Sequence, residues 1–297
     1  MMKVTLTNEI LSYITEIEHN RYKVSSVKLS KPVMNRLRKN SKKKSSYASN
    51  KIEGNPLSEK QVDEVIERDE RKHYLKPEQE VRNYFLALNY LEEKVSKKEK
   101  FSQKLILDVQ KLVEKGASKE KIGLRGSMPP GVLFAVYDSK TGNPDYIPPE
   151  YCDIPGLLDE LIEYVNTTDD HPLIVAAVVH YQLVTIHPFE DGNGRTARLL
   201  SGYIMDLNGY GFNGVGSLEE YFAYDIDEYY ESIQMGLPAL YYSGRENPPH
   251  PEIWIHYFLR MVKLYSGKVC DLQLASEEED IAGSLSFLKG KEKELLQ

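Results

Sequence analysis

Cysteine is nearly absent from this chain: Cys152 and Cys270 are the two in 297 residues, and neither has a Cys or His neighbour at zinc-ligand spacing. That excludes a disulfide scaffold or a zinc finger and fits a reducing compartment. Long apolar runs are missing too. The longest, residues 173–179, is seven residues, far short of the ~20 a membrane helix needs. The opening stretch MMKVTLTNEILSYITEIEH is interrupted by Asn8, Glu9 and Glu16, so it offers no signal-peptide core. No Gly/Ser-rich linker and no repeat at a solenoid period occur. A soluble, cytoplasmic protein with no membrane partner is the expectation.

One further absence is local. Between Glu18 and Glu53 there is no acidic residue, while eleven Lys and Arg occur there. The net charge is −7, so the rest of the chain carries 27 basic against 45 acidic residues, a balance of −18. The densest part, KPVMNRLRKNSKKK at residues 31–44, has the charge of a nucleic-acid or acidic-surface patch. The alternatives are a solvated helix face or a strip that complements the acidic body of the same molecule. No aromatic residue interleaves the run, which argues against a nucleic-acid platform.

What is present is an ordinary globular balance, 41% hydrophobic and 28% charged, and a length that allows one large domain or two modest ones. The periodicity is overwhelmingly helical. Ser58 is a candidate N-cap for a helix carrying Val62, Val65 and Ile66. Pro77 starts the next, with Val81, Tyr84, Phe85, Leu88 and Leu91. Residues 102–114 repeat the pattern through Leu105, Leu107, Val109 and Leu112. Gly123, Gly126, Pro129, Pro130 and Gly131 then break the helices, and GVLFAVYDSKTGNPDYIPP reads as a hairpin turning at Thr141-Gly142-Asn143. Helical spacing resumes at 154–167, at 172–186, after Gly194, in DIDEYYESIQMGL and in EIWIHYFLRMVKLY. The end of the chain is acidic through Glu277, Glu278, Glu279 and Asp280, then basic and amphipathic. His180 sits among apolar neighbours and reads as a core histidine despite its spacing from His171 and His187. Trp254 reads as helix packing.

The chemistry concentrates in HPFEDGNGRTAR, residues 187–198. Gly192 and Gly194 bracket Asn193 just ahead of a new helix, so backbone N–H groups can form an anion nest reinforced by the helix N-terminus. Arg195 and Arg198 lie three apart and share one helix face. Two guanidiniums beside a nest suit more than one phosphate. Asp191 offers a hard oxygen for Mg²⁺ held mainly by the phosphates. His187 is the group in the loop able to accept a proton near neutral pH, and Phe189 is expected to anchor the loop in the core.

These twelve residues match the signature HPFx[D/N]GNGRxxR, and the chain resembles the Fic family from about residue 123 to 242. The resemblance implies an all-α core with a short β-hairpin flap, and an enzyme that moves AMP from ATP to a Ser, Thr or Tyr hydroxyl of a target protein. It makes His187 the base and puts Mg²⁺ on Asp191. Gly192, Asn193, Gly194 and Arg195 would cradle the phosphates, and Arg198 would receive the γ-phosphate. Ser49-Asn50-Lys51-Ile52-Glu53-Gly54 is similar to the family's inhibitory motif [S/T]xxxE[G/N]. Ser49 and Glu53 are four apart, on one helix face, and Gly54 suits a helix C-terminus. A carboxylate on Arg198 would take the γ-phosphate's place. Tyr229-Tyr230 resembles a pair lining the adenine pocket of relatives. Met235, Gly236 and Leu237 stand where some relatives have an Asn. Asn143, Asp145, Tyr146 and Ile147 of the flap would present a strand edge to the target.

The resulting expectation is an autoinhibited protein AMP-transferase with ATP as substrate. Residues 1–115 form an N-terminal helical region with the inhibitory motif, 116–243 the Fic core and 244–297 a helical extension. Two alternatives remain at this level: a de-AMPylating hydrolase using Glu53, and a nucleotide-sensing binding module with the basic strip as its contact. The target and the oligomeric state, a homodimer included, are open.

Overall fold

A helix with almost no polar face lies at the centre. In the computed structural model, which describes residues 2–68, 73–118, 122–137, 142–235 and 250–286, α7 (Pro172–Ile186) is buried along nearly its whole length. A helix apolar all round needs partners on every side. It packs against α8 (Asn193–Leu207), which follows it across the motif loop, and against α6 (Ile154–Thr167) and α11 (Pro251–Ser286). On α8 pack α4 (Lys76–Ser96) and α5 (Gln103–Glu114). α2 (Lys31–Ile52) lies over α4, α8 and α9 (Glu219–Phe222), while α3 (Glu59–Glu67) packs on α2 and α4. α1 (Asn8–Ser26) runs along α11, and α10 (Ile226–Gln234) packs on α11. Side chains from α1, α2 and α4 to α11 share one hydrophobic core, and α3 buries Val62 and Val65 outside it. The fold is all-α. Among the described residues its only sheet is the hairpin of β1 (Val136–Tyr137) and β2 (Pro144–Tyr146), antiparallel with Val136 opposite Tyr146.

Local signals account for most boundaries. Ser58 caps α3 in a capping box with Gln61, and Ser102 caps α5 through the Leu105 N–H. Prolines sit in the first turns of α4, α6 and α7, where the missing N–H costs nothing. Three details differ from the sequence expectation. α5 buries Ile106 and Val113 together with Leu105 and Val109, leaving Leu107 and Leu112 half-buried at the core's edge. α8 begins at Asn193, one residue before Gly194. α11 continues far past Tyr265, because α1 gives it an apolar partner along its length. Thr141 of the expected hairpin turn, Gly236 and Leu237, and the basic end of the chain lie outside the described residues.

The basic strip is α2, and the protein's own carboxylates cover it. Lys39 and Lys43 reach Glu67 at 2.7 and 2.8 Å, Lys42 reaches Glu92 at 2.5 Å and Lys44 reaches Glu220 at 3.1 Å. The Lys39 and Lys43 hydrogen bonds hold the Glu67 carboxyl down at about 2. Trp254 is fully buried and donates to the Ala177 carbonyl at 2.8 Å. No described helix is long and apolar enough to cross a membrane.

Candidate active site

α7 cannot continue past Ile186: His187 takes a left-handed conformation, φ +48°, and Pro188 follows. The turn projects His187 from the helix end and sends the chain into the motif loop. Asn193 closes that loop from within. Its Oδ1 accepts the Phe189 N–H at 3.0 Å and its Nδ2 donates to the Phe189 carbonyl at 2.8 Å. Phe189 is buried, as expected. Gly192 is the N-cap of α8 at φ +80°, a backbone that favours glycine. Its N–H donates to Asp191 Oδ1 at 2.8 Å. The first amides of α8 have no intrahelical acceptor by helix geometry and point out of its N-terminus.

His187 Nδ1 lies 3.2 Å from the Val184 carbonyl. A carbonyl only accepts, so Nδ1 carries the proton and Nε2 is the basic nitrogen. The residue keeps some surface, yet its ring lies among protein atoms. Burial, with the Arg125 charge adding to it, lowers the pKa to about 4.

The two motif arginines face different partners. Arg195 is buried under the loop, its Nη2 2.9 Å from Glu114 and 3.3 Å from Asp191. Glu114, at the end of α5, is fully buried, and that burial outweighs the Arg195 charge and lifts its carboxyl to about 7. Arg198 is held from α2. Its Nε donates to Ser49 Oγ at 2.8 Å, and its Nη2 donates to the Ser49 carbonyl at 3.0 Å and to Glu53 Oε1 at 2.6 Å. Glu53 is the C-cap of α2, and Gly54 follows at φ +79°. The Glu53 carboxylate sits directly over Gly194, so close that a Cβ there would strike it. Ser49 and Glu53, 149 and 145 residues from Arg198 in the chain, thus close on the motif.

Tyr229 is buried, with its hydroxyl 2.8 Å from His180 Nε2 and 3.3 Å from Arg198 Nη1. His180 is a buried core histidine, held neutral by burial and the Arg198 charge. Tyr230 stands beside Tyr229, ring centroids 5.1 Å apart, with its side chain partly in solvent. In the flap, Asn143 is exposed and Ile147 half-buried, and the Tyr146 hydroxyl ties β2 to the Thr185 carbonyl at 2.7 Å. The Asp145 side chain lies outside the described residues.

Two residues of the site were not foreseen. Arg125 is buried, and it holds the motif loop to the flap base. Its N–H donates to the Pro188 carbonyl at 2.9 Å, its Nε to the His187 carbonyl at 2.8 Å and its Nη2 to the Pro149 carbonyl. Its glycine-flanked place in GLRG ahead of the hairpin was the only sequence signal. Glu114 ends an amphipathic helix and carried no signal.

Residues 63–205 match the model of the Fic/DOC family. A protein adenylyltransferase Fic of Drosophila grimshawi is 27% identical over 206 residues, covering 66% of this chain and 40% of that protein. Protein adenylyltransferase fic-1 of Caenorhabditis briggsae is 35% identical over 146 residues, 46% of this chain and 27% of that protein. The chain therefore spans well under half the length of these curated relatives. Among solved structures, a Fic family protein from Desulfovibrio desulfuricans superposes with a TM-score of 0.74 at 22% identity, over 92% of this chain and 77% of that one. Residues 134–508 of C. elegans Fic-1 superpose with a TM-score of 0.68 at 23% identity, over 91% and 73%. This chain is a Fic-domain family protein, with the all-α fold of those structures.

Proposed function

We propose that the protein is an autoinhibited nucleotidyltransferase that moves AMP from ATP to a hydroxyl side chain of a target protein and of itself. The relatives named protein adenylyltransferase support the reaction class. The observation that carries the inhibited state is the Glu53 carboxylate at 2.6 Å from Arg198 and over Gly194. A γ-phosphate on Arg198 would have to displace that carboxylate and would be repelled by it.

In this reading the N–H groups of Asn193, Gly194 and Arg195 receive the phosphates, and Gly192 shapes the turn that presents them. The Asn193 and Arg195 side chains brace the loop beneath them, and Arg198 takes the γ-phosphate once Glu53 withdraws. His187 Nε2 accepts the hydroxyl proton while that oxygen attacks the α-phosphorus and pyrophosphate leaves. Positioning and charge stabilisation supply most of the rate. Asp191 fits Mg²⁺: it is a part-exposed carboxylate at the nest's mouth, and no described group of three or more His, Cys, Asp or Glu forms a closed metal cage. A single carboxylate suits an ion bound chiefly through phosphates, where it neutralises their charge. Tyr230, with its exposed ring, is the member of the tyrosine pair placed to stack on adenine, and the Asn143–Ile147 edge would receive the target segment. Residues 1–115 act as the inhibitory region, 116–243 as the catalytic core and 244–297 as its extension, in a cytoplasmic protein.

One observation favours a second reading, removal of AMP from a modified protein. Only one Glu53 oxygen is engaged by Arg198, and its side chain is 32% exposed, so the other could orient a water. A binding module using the basic strip is disfavoured by the carboxylates that already cover α2. Labelled ATP, Mg²⁺ and lysate, incubated with wild type and Glu53→Gly, test the proposal. Strong labelling by the variant is expected. Labelling no higher than wild type at several ATP concentrations refutes autoinhibition.

A further inference from the structure

His187 is left-handed without being a glycine, φ +48°, and such a backbone persists only where its surroundings over-determine it. Arg125 supplies that constraint. Its Nε donates to the His187 carbonyl at 2.8 Å and its own N–H donates to the Pro188 carbonyl at 2.9 Å. Two successive carbonyls, directly after the turn, therefore end on one residue. Leu124 beside it pairs with Phe189 as an antiparallel bridge. A bond from a guanidinium is charge-assisted and stronger than a neutral one, so the plane between His187 and Pro188 is firmly held.

The same guanidinium reaches the surroundings of the imidazole. Its Cζ lies 4.7 Å from the centre of the Phe134 ring, within cation–π range. That ring stands 5.9 Å from the His187 ring. The Val184 carbonyl holds Nδ1 from the helix side at 3.2 Å. The imidazole thus has the end of α7 on one side and Phe134 on another, and Arg125 sets the position of Phe134.

The third reach is to the flap. Nη2 of Arg125 donates to the carbonyl of Pro149, which follows β2 through two buried prolines. Proline fixes φ, so this short connection is stiff. From the other side the Tyr146 hydroxyl ties β2 to the Thr185 carbonyl at 2.7 Å, two residues before His187. The phosphate nest has supports of its own in Asn193 and Arg195.

We propose that Arg125 is a positioning residue for AMP transfer: it holds the His187 turn and the base of the flap as one unit, so that Nε2 meets a hydroxyl presented on the flap edge. This rests on the reading of His187 as the base. The fork of a guanidinium can hold two carbonyls in fixed directions, which the point charge of a lysine cannot. The charged groups facing the imidazole are Arg125 from ahead of the hairpin, Glu53 from α2 and Asp191 from the motif loop; the first disfavours its protonated form and the two carboxylates favour it.

Arg125→Lys keeps the charge and loses the fork, and Arg125→Met loses both; each is made in the full chain carrying Glu53→Gly. The self-labelling rate at saturating ATP should fall roughly tenfold or more in both. Calorimetry should find ATP affinity within about twofold of the parent, since the interaction lost acts on the chemical step. Nitrogen NMR of the histidine-labelled chain, with the His187 signal assigned by its loss in His187→Ala, reads the ring without any transfer. The parent should show one tautomer near neutral pH, Nδ1 protonated and Nε2 bare. Both variants should mix the two tautomers, and Arg125→Met alone should take up its second proton at a higher pH than the parent. Should Arg125→Met not fold, Arg125→Lys decides. Undiminished labelling by Arg125→Lys, loss of ATP affinity in step with labelling, or the parent's single tautomer retained in the variants overturns the positioning role. If Glu53→Gly labels no more than its His187→Ala counterpart, the base reading fails, and the tautomers decide whether Arg125 holds the ring.

Discussion

Glu53→Gln removes one charge from the Glu53–Arg198 pair and little else, since the side chain keeps its length and a hydrogen-bonding oxygen. Arg198 has 1% of its side chain exposed, and Glu53 has 32%. Breaking a fully buried pair costs about 3–5 kcal/mol. Water reaches the Glu53 side, and Ser49 and Tyr229 still hold the guanidinium, so the discounted loss is roughly 1–2 kcal/mol. In a chain of this size that lowers the melting temperature by roughly 2–5 °C. ATP narrows that gap. In wild type the nucleotide must displace Glu53 from Arg198, and the same roughly 1–2 kcal/mol weakens its apparent affinity by a factor of about 5–30. At about 100 times its dissociation constant a ligand stabilises by about 2.7 kcal/mol, so the variant should gain more from a fixed ATP concentration. Differential scanning fluorimetry with and without ATP reads both effects. Equal melting temperatures without nucleotide, together with equal ATP-induced shifts, would refute the competition between carboxylate and phosphate.

His187→Ala should abolish AMP transfer, in the Glu53→Gly background too, while calorimetry finds ATP binding largely retained; parallel loss of both would remove its role as base. Because burial puts the His187 pKa near 4 instead of the ordinary 6.5, the ring is already neutral at pH 6.5, and kcat/KM of Glu53→Gly should fall only as pH drops toward 4; a limb centred near 6.5 counts against it. The same depressed pKa means that the folded chain binds fewer protons than the unfolded one between 6.5 and 4, so the His187 contribution to stability is lost as pH falls through that window. Asp191→Ala should raise the Mg²⁺ concentration needed for transfer, and full activity in excess chelator would exclude the metal. Fluorescence anisotropy at physiological salt should find no tight, salt-resistant binding of α2 to a nucleic acid, since its lysines already face carboxylates.

Sequence alone determined what is written contiguously. The loop of residues 187–198 needs its residues adjacent in the chain, so its His, Asp, glycines and two arginines could be read as one site. The bounds of α6 and α7 could be read from Pro155, Pro172 and the apolar spacing. The Ser49–Glu53 motif could be read because four residues make one helical turn. Tertiary structure decided everything that depends on which surfaces meet. It set the partners of the two arginines: Glu53 for Arg198 across 145 residues, Glu114 for Arg195 across 81. It made Arg125 a brace for the motif loop, turned the α2 lysines onto the body of the protein, and buried Tyr229 while leaving Tyr230 in solvent. Periodicity gives a helix its apolar face, but it carries no information about the neighbour that covers that face. A charged side chain likewise has no fixed role until packing sets its burial and its partner.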